Sequence, residues 1–206
     1  MENTTNKGGG ACYDFNEILK IKDVCNTHNL GLHLDGARLM NALVATGQTP
    51  KQYGEVFDTI SVCLSKGLGA PLGTVLMGNK RVMKKARRIR KVFGGAMRQI
   101  GFMAAAGLYG IKNNVDRLTE DHQKAKEIAE ALASQPYISK VEPTETNIII
   151  FYLSENISQE EFLANMNTKS VKISSMGQGK LRIVTHLDYT EEKHTRFMKI
   201  IRNFIA

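Results

Sequence analysis

Short β-rich runs alternate with helical segments through the first half of the chain, and this alternation constrains the fold more than any single residue does. Residues 14–26 read as an amphipathic helix opened by an aspartate at an N-cap position. Leu30 to Leu34 reads as a short buried strand ending at Asp35, residues 38–46 as a helix, and Thr59 to Leu64 as a second strand. Ser65 to Gly73 (SKGLGAPLG) holds three glycines and a proline and is therefore a loop. Gly73 to Met77 reads as a third strand, with a basic helix behind it. This order predicts an α/β layer architecture with a mostly parallel sheet.

The pattern then changes. Met97 to about Gln135 is helical throughout, and Gln135-Pro136 stops it, since the residue before a proline is driven out of the α region. Strands follow at Lys140 to Glu142 and Asn147 to Leu153, then a helix at Ser158 to Asn167, a strand at Lys180 to Val184 and a helix at Thr190 to Ala206. A boundary within residues 112–136 divides the chain into a larger α/β part, residues 1–125, and a small α+β domain, residues 126–206.

Composition narrows the class. Hydrophobic residues make up 42% and charged residues 23%, which is globular rather than disordered. The longest apolar run, Ile148 to Leu153, is far too short to span a bilayer, and no export signal opens the chain. Three cysteines without CxxC spacing argue against a disulfide framework or a zinc site and for a reducing compartment, with the cytoplasm expected. The net charge of +8 is local: residues 80–91 (KRVMKKARRIRK) hold eight Lys or Arg and no acid, the whole excess of 28 basic over 20 acidic residues. Val82, Ala86, Ile89 and Phe93 recur there at helical spacing, so the segment is one amphipathic helix with a cationic outer face. That face is read first as solvated and next as an anion or acidic-subunit site. Nucleic acid is not expected, because no recognition motif accompanies it.

Two segments carry chemistry. In HLDGAR, residues 33–38, Asp35 ends a parallel strand, where α/β proteins bind ligands; taken alone it reads first as a helix N-cap. In SKGLGAPLG, a lysine directly after a buried strand sits where a ligand can approach the backbone closely and strip the ammonium of water; taken alone, Lys66 reads first as a surface lysine. Together they change the reading. Parallel neighbours place both on one rim of the sheet, and pyridoxal phosphate needs such a couple, a lysine to hold it and a carboxylate for its ring nitrogen.

HLDGARLMNA followed by SVCLSKGLGAPLGTVLMG resembles the Asp and Lys motifs of the low-specificity threonine aldolase family, within the fold type I pyridoxal-phosphate enzymes and their β-eliminating lyase group. ENTTNKGGG, RKVFGGAMRQIGFMAAAGLYG and LRIVTHLD are similar to three further motifs of that family, in the same order. The resemblance implies the C-terminal part of a fold type I large domain, plus a small C-terminal domain, and retro-aldol cleavage of L-threonine or L-allo-threonine to glycine and acetaldehyde. It implies that Lys66 carries pyridoxal 5'-phosphate, that Asp35 pairs with the ring nitrogen, and that Arg38 and Arg182 grip the amino-acid carboxylate. Lys91 and Arg98 match positions that reach the cofactor phosphate, including a neighbouring subunit's, in a homodimer or homotetramer. His33 and His186 flank these motifs and read as structural histidines.

The family's members are longer and carry a phosphate loop, a ring-stacking histidine and three further strands that would lie outside this chain. Little or no aldolase activity is therefore expected from these 206 residues alone, together with exposed apolar surface. Another β-eliminating lyase on the same scaffold, or a non-catalytic remnant, are the competing readings.

Overall fold

The computed structural model describes residues 1–177 and 179–204, so the end of the last predicted helix, residues 205–206, lies outside the described residues. The chain divides into two units: Met1–Thr4 with Cys12–Leu118, and Thr5–Ala11 with Thr119–Ala206.

The first unit is built on three strands, β1 (His33–Gly36), β2 (Thr59–Cys63) and β3 (Thr74–Gly78), in that order across the sheet. β1 and β2 are parallel, with Asp35 beside Ser61 and Gly36 beside Val62. Their connection is long enough for two helices, α2 (Leu39–Thr46) and α3 (Pro50–Val56). The link from β2 to β3 contains no helix, so β3 returns antiparallel, departing from the predominantly parallel pattern. Burial alternates along the parallel pair: Leu34, Ile60 and Val62 point into a core with Ile18, Leu39 and Tyr53, while His33, Asp35, Ser61 and Cys63 occupy the other face. Each large apolar side chain so buried contributes about 1.5–3 kcal/mol.

Helix α1 (Phe15–Thr27) begins where predicted, because Asp14 accepts hydrogen bonds from the N–H groups of Asn16 and Glu17. The predicted strand at Leu30–Leu34 starts later, at His33. Asp58, just before β2, accepts from the Leu32 N–H at 2.7 Å and from Lys22, and these donors hold its carboxyl below the usual range. Residues 1–3 run along the free edge of β1, where Asp35 N–H donates to Met1 O at 2.8 Å and Asn3 N–H to Asp35 O at 3.2 Å.

The basic segment forms α4 (Lys80–Val92), capped by Asn79, but its apolar side is not buried as its periodicity implies. Val82 and Ala86 are half-buried, whereas Ile89 and Phe93 are exposed, Phe93 at 84%. The helical stretch that follows is two helices, α5 (Gly101–Asn113) and α6 (Leu118–Ala133).

The second unit is an antiparallel sheet of β4 (Ile138–Val141), β5 (Ile148–Leu153), β7 (Lys180–Val184) and the two-residue β6 (Ser174–Ser175), in that order. On one face Ile149, Phe151 and Leu181 pack with α6, α7 (Gln159–Thr168) and α8 (Glu191–Arg202), through Ile128, Phe162 and Phe197. The other face, carrying Ile148 and Ile150, is covered by residues 5–11. The glycine triplet makes that possible: Gly9 and Gly10 have φ of 71° and 75°, and a Cβ on Gly9 would stand 3.2 Å from Ile150 Cγ1. No helix among the described residues is long and apolar enough to cross a membrane.

Candidate functional site

The open face of the first sheet gathers the polar residues. Paired residues on neighbouring strands share a face, so Asp35 stands beside Ser61, and Cys63, two residues further along β2, points the same way. Lys66 leaves the end of β2, folds back and donates from Nζ to Cys63 Sγ at 3.3 Å. Its amine therefore lies over the face that carries Asp35. Strand spacing and rise put Asp35 and Cys63 roughly 8 Å apart. That backbone separation leaves room for a small planar ring over the face.

Asp35 is not a helix cap. Arg38 occupies the N-cap position of α2 without a side-chain bond to it, and Asp35 Oδ1 instead accepts from the Ala37 N–H at 3.0 Å. That bond ties one carboxylate oxygen to the turn after β1 and orients the group at the strand end.

The lysine loop is tightly held. Leu64 N–H donates to Gly73 O, Ala70 N–H to Leu64 O and Gly69 N–H to Lys66 O, each at 2.9 Å. Leu68 is buried beneath, its carbonyl accepting from Asn114 Nδ2 at 2.9 Å. Helix α5 comes unusually close: a Cβ on Gly110 would lie 2.5 Å from Leu68 O, and one on Gly107 would lie 2.6 Å from Leu64 Cδ1. Arg38, half-buried, lines one small cleft with Cys63, Gly67 and Leu68.

The structure thus brings together Asp35, Arg38 and Lys66. Lys91, in the last turn of α4, and Arg98 after it are exposed. Arg182 belongs to the second unit, on β7, where Nη1 donates to Asn6 Oδ1 at 2.8 Å and the buried Nε has no hydrogen-bond partner. His33 Nδ1 meets Thr59 Oγ1 at 2.8 Å, and His186 Nδ1 accepts from the Asp188 N–H, so both histidines have local partners. Sequence reasoning missed Cys63 as the lysine's neighbour, and the support from Gly107, Gly110 and Asn114. The small residues of AAAGLYG at helical spacing were the available signal for a close helix approach.

A lysine loop after one parallel strand, a carboxylate at the end of its neighbour and, later in the chain, an antiparallel α+β unit are the features of the fold type I pyridoxal-phosphate class. Solved structures agree: threonine aldolase from Leishmania major superposes with a TM-score of 0.78 at 21% identity, covering 100% of this chain and 60% of that one. The sequence model for the beta-eliminating lyases matches residues 1–156, and the chain belongs to that family. It is 41% identical over 178 residues to a low specificity L-threonine aldolase of Escherichia coli O157:H7, covering 86% of this chain and 52% of the relative. It is 36% identical over 193 residues to low-specificity L-threonine aldolase 1 of Arabidopsis thaliana, covering 92% and 54%. The chain spans about half the length of the curated relatives it matches.

Proposed function

We propose that this chain supplies the lysine-and-carboxylate part of a pyridoxal-phosphate site that cleaves L-threonine or L-allo-threonine to glycine and acetaldehyde. The observation that carries the reading is the shared face: Asp35 beside Ser61, and Lys66 Nζ held against Cys63 on the same side of the sheet. The donor set fits the cofactor, since a primary amine and a carboxylate lie over one face, and the strand positions beneath them, Cys63 and Asp35, are roughly 8 Å apart. When bound, pyridoxal phosphate supplies an electron sink for the carbon freed when Cα–Cβ breaks.

Lys66 is the group that would hold the cofactor covalently and hand it to the incoming amine. Asp35, oriented by the Ala37 N–H, would keep a proton on the ring nitrogen. Arg38 and Arg182 would bind the substrate carboxylate, a planar group that suits the guanidinium fork. Lys91 and Arg98 would meet the cofactor phosphate across a subunit contact in a homodimer or homotetramer, which their exposure permits.

Asp35 and Lys66 are both exposed, so this chain alone excludes little water from the reacting groups, and threonine cleavage by it is expected to be weak or absent. The test separates holding the cofactor from turnover. Pyridoxal phosphate is added, borohydride fixes it, and peptide mass spectrometry locates the label. Label concentrated on Lys66, and reduced severalfold by Asp35→Ala, is expected. Label spread over surface lysines would end the reading.

A further inference from the structure

We infer that a second site, in the second unit between β6, β7 and α8, binds a small amphipathic carboxylate. Its origin is the shortness of β6, which pairs only with Leu181 and Arg182. The preceding residues 170–173 therefore cross the sheet edge without joining the ladder, and a cavity of about 440 Å³ remains beneath them. That volume lies within the roughly 300–1,000 Å³ typical of small-molecule sites. The apolar lining comes from Val171, Ile173, Ile183, Phe197 and Ile200.

Charge decides the class of ligand. Lys172, Lys193 and Arg196 line the same cavity, and no carboxylate is among the described residues that do. Lys193 and Arg196 stand one helical turn apart on α8 and are positioned by neutral acceptors: Lys193 Nζ donates to Asp188 O at 2.7 Å and Arg196 Nη2 to Lys169 O at 2.9 Å. Carbonyls fix these side chains without cancelling their charge. Arg182 is not counted with them, because its guanidinium bonds Asn6, in the segment covering the opposite face of the sheet. One wall is rigid: Tyr189 Oη meets His194 Nδ1 at 3.2 Å, and His194 Nε2 meets Glu127 Oε2 at 2.8 Å. An apolar chamber with a cationic rim and no acid selects an apolar body ending in an anion.

Decanoate is the probe, and decanol, with the same chain and no charge, is the control. Titration calorimetry on the full chain should give a decanoate Kd on the order of 10⁻⁴ to 10⁻³ M, with decanol at least tenfold weaker. Lys193→Ala with Arg196→Ala should weaken decanoate about tenfold or more, and Lys193→Arg with Arg196→Lys should restore most of it. Ile173→Glu should abolish binding, while Phe93→Ser, on the exposed apolar surface of the first unit, should leave it unchanged. Amide chemical-shift changes in the unsubstituted protein should concentrate at residues 170–174 and 193–200, a map that does not depend on any variant folding. Absence of binding at millimolar decanoate, equal affinity for decanol, or shifts centred elsewhere would each overturn the proposal.

Discussion

Replacing Gly110 with alanine tests whether the close approach of α5 is what holds the lysine loop. The new Cβ would stand 2.5 Å from Leu68 O and 3.4 Å from Leu68 C, so it meets backbone and cannot be relieved by a rotamer change. Forcing a methyl group into such a contact costs about 1–3 kcal/mol, against a helix-propensity gain of about 1 kcal/mol for removing a glycine. Helix and loop must therefore part by several tenths of an ångström, leaving a net destabilisation of up to about 2 kcal/mol. Two glycines act as internal standards. At Gly107 the clash is with Leu64 Cδ1, the end of a flexible side chain, so Gly107→Ala should stay within about 1 kcal/mol of the parent. Gly54, exposed in α3 with nothing within 4 Å of its would-be Cβ, should stabilise by about 0.5–1 kcal/mol when changed to alanine. Urea titration followed by circular dichroism gives the order. Because Leu68 lies two residues from Lys66, borohydride trapping of pyridoxal phosphate on Lys66 should slow in Gly110→Ala alone. A Gly110→Ala protein as stable as Gly54→Ala, with unchanged trapping, would refute the argument.

Gly10→Ala should destabilise the second unit by about 2 kcal/mol or more, because φ is 75° and the added carbon would strike Thr146 Oγ1, which donates to Gly10 O; urea denaturation reads it. Burial holds the His122 imidazole below its ordinary value, against the opposing pull of Asp121. The unfolded chain then takes up the proton first, so stability should be level above about pH 7 and fall as pH drops below about 6.5, by no more than about 1.4 kcal/mol per unit. His122→Gln should flatten that dependence; an unchanged profile would assign it elsewhere. Phe93 and Phe102 are 84% and 80% exposed, so Phe93→Ser with Phe102→Ser should reduce concentration-dependent association in light scattering without lowering the unfolding free energy from urea titration by more than about 0.5 kcal/mol.

What could be read from the residues follows how local each signal is. Asp14 marked the start of α1 because a cap acts on N–H groups two and three residues away, and β7 was read as Lys180–Val184, the range observed. Helix α3 was overlooked although Thr49-Pro50 with Gln52 forms a capping box, a signal confined to four residues and easily lost beside the longer periodic segments. The break between α5 and α6 has no proline and no strong change of period, so composition alone ran the two together. The face shared by Asp35 and Lys66 was legible in part: the strand ends follow from pattern, but the amine's return onto Cys63 depends on loop bonds from Leu64 to Gly73 that no periodicity encodes. The same limit explains α4. Its apolar stripe was visible, but burial is a property of what packs against a stripe, and Ile89 and Phe93 find no such surface among the described residues. Periodicity specifies which side of a helix would accept a partner, and only the assembled neighbours decide whether one is present. The exposed stripe beside eight cations is therefore better tested as a contact surface than read as a misplaced core.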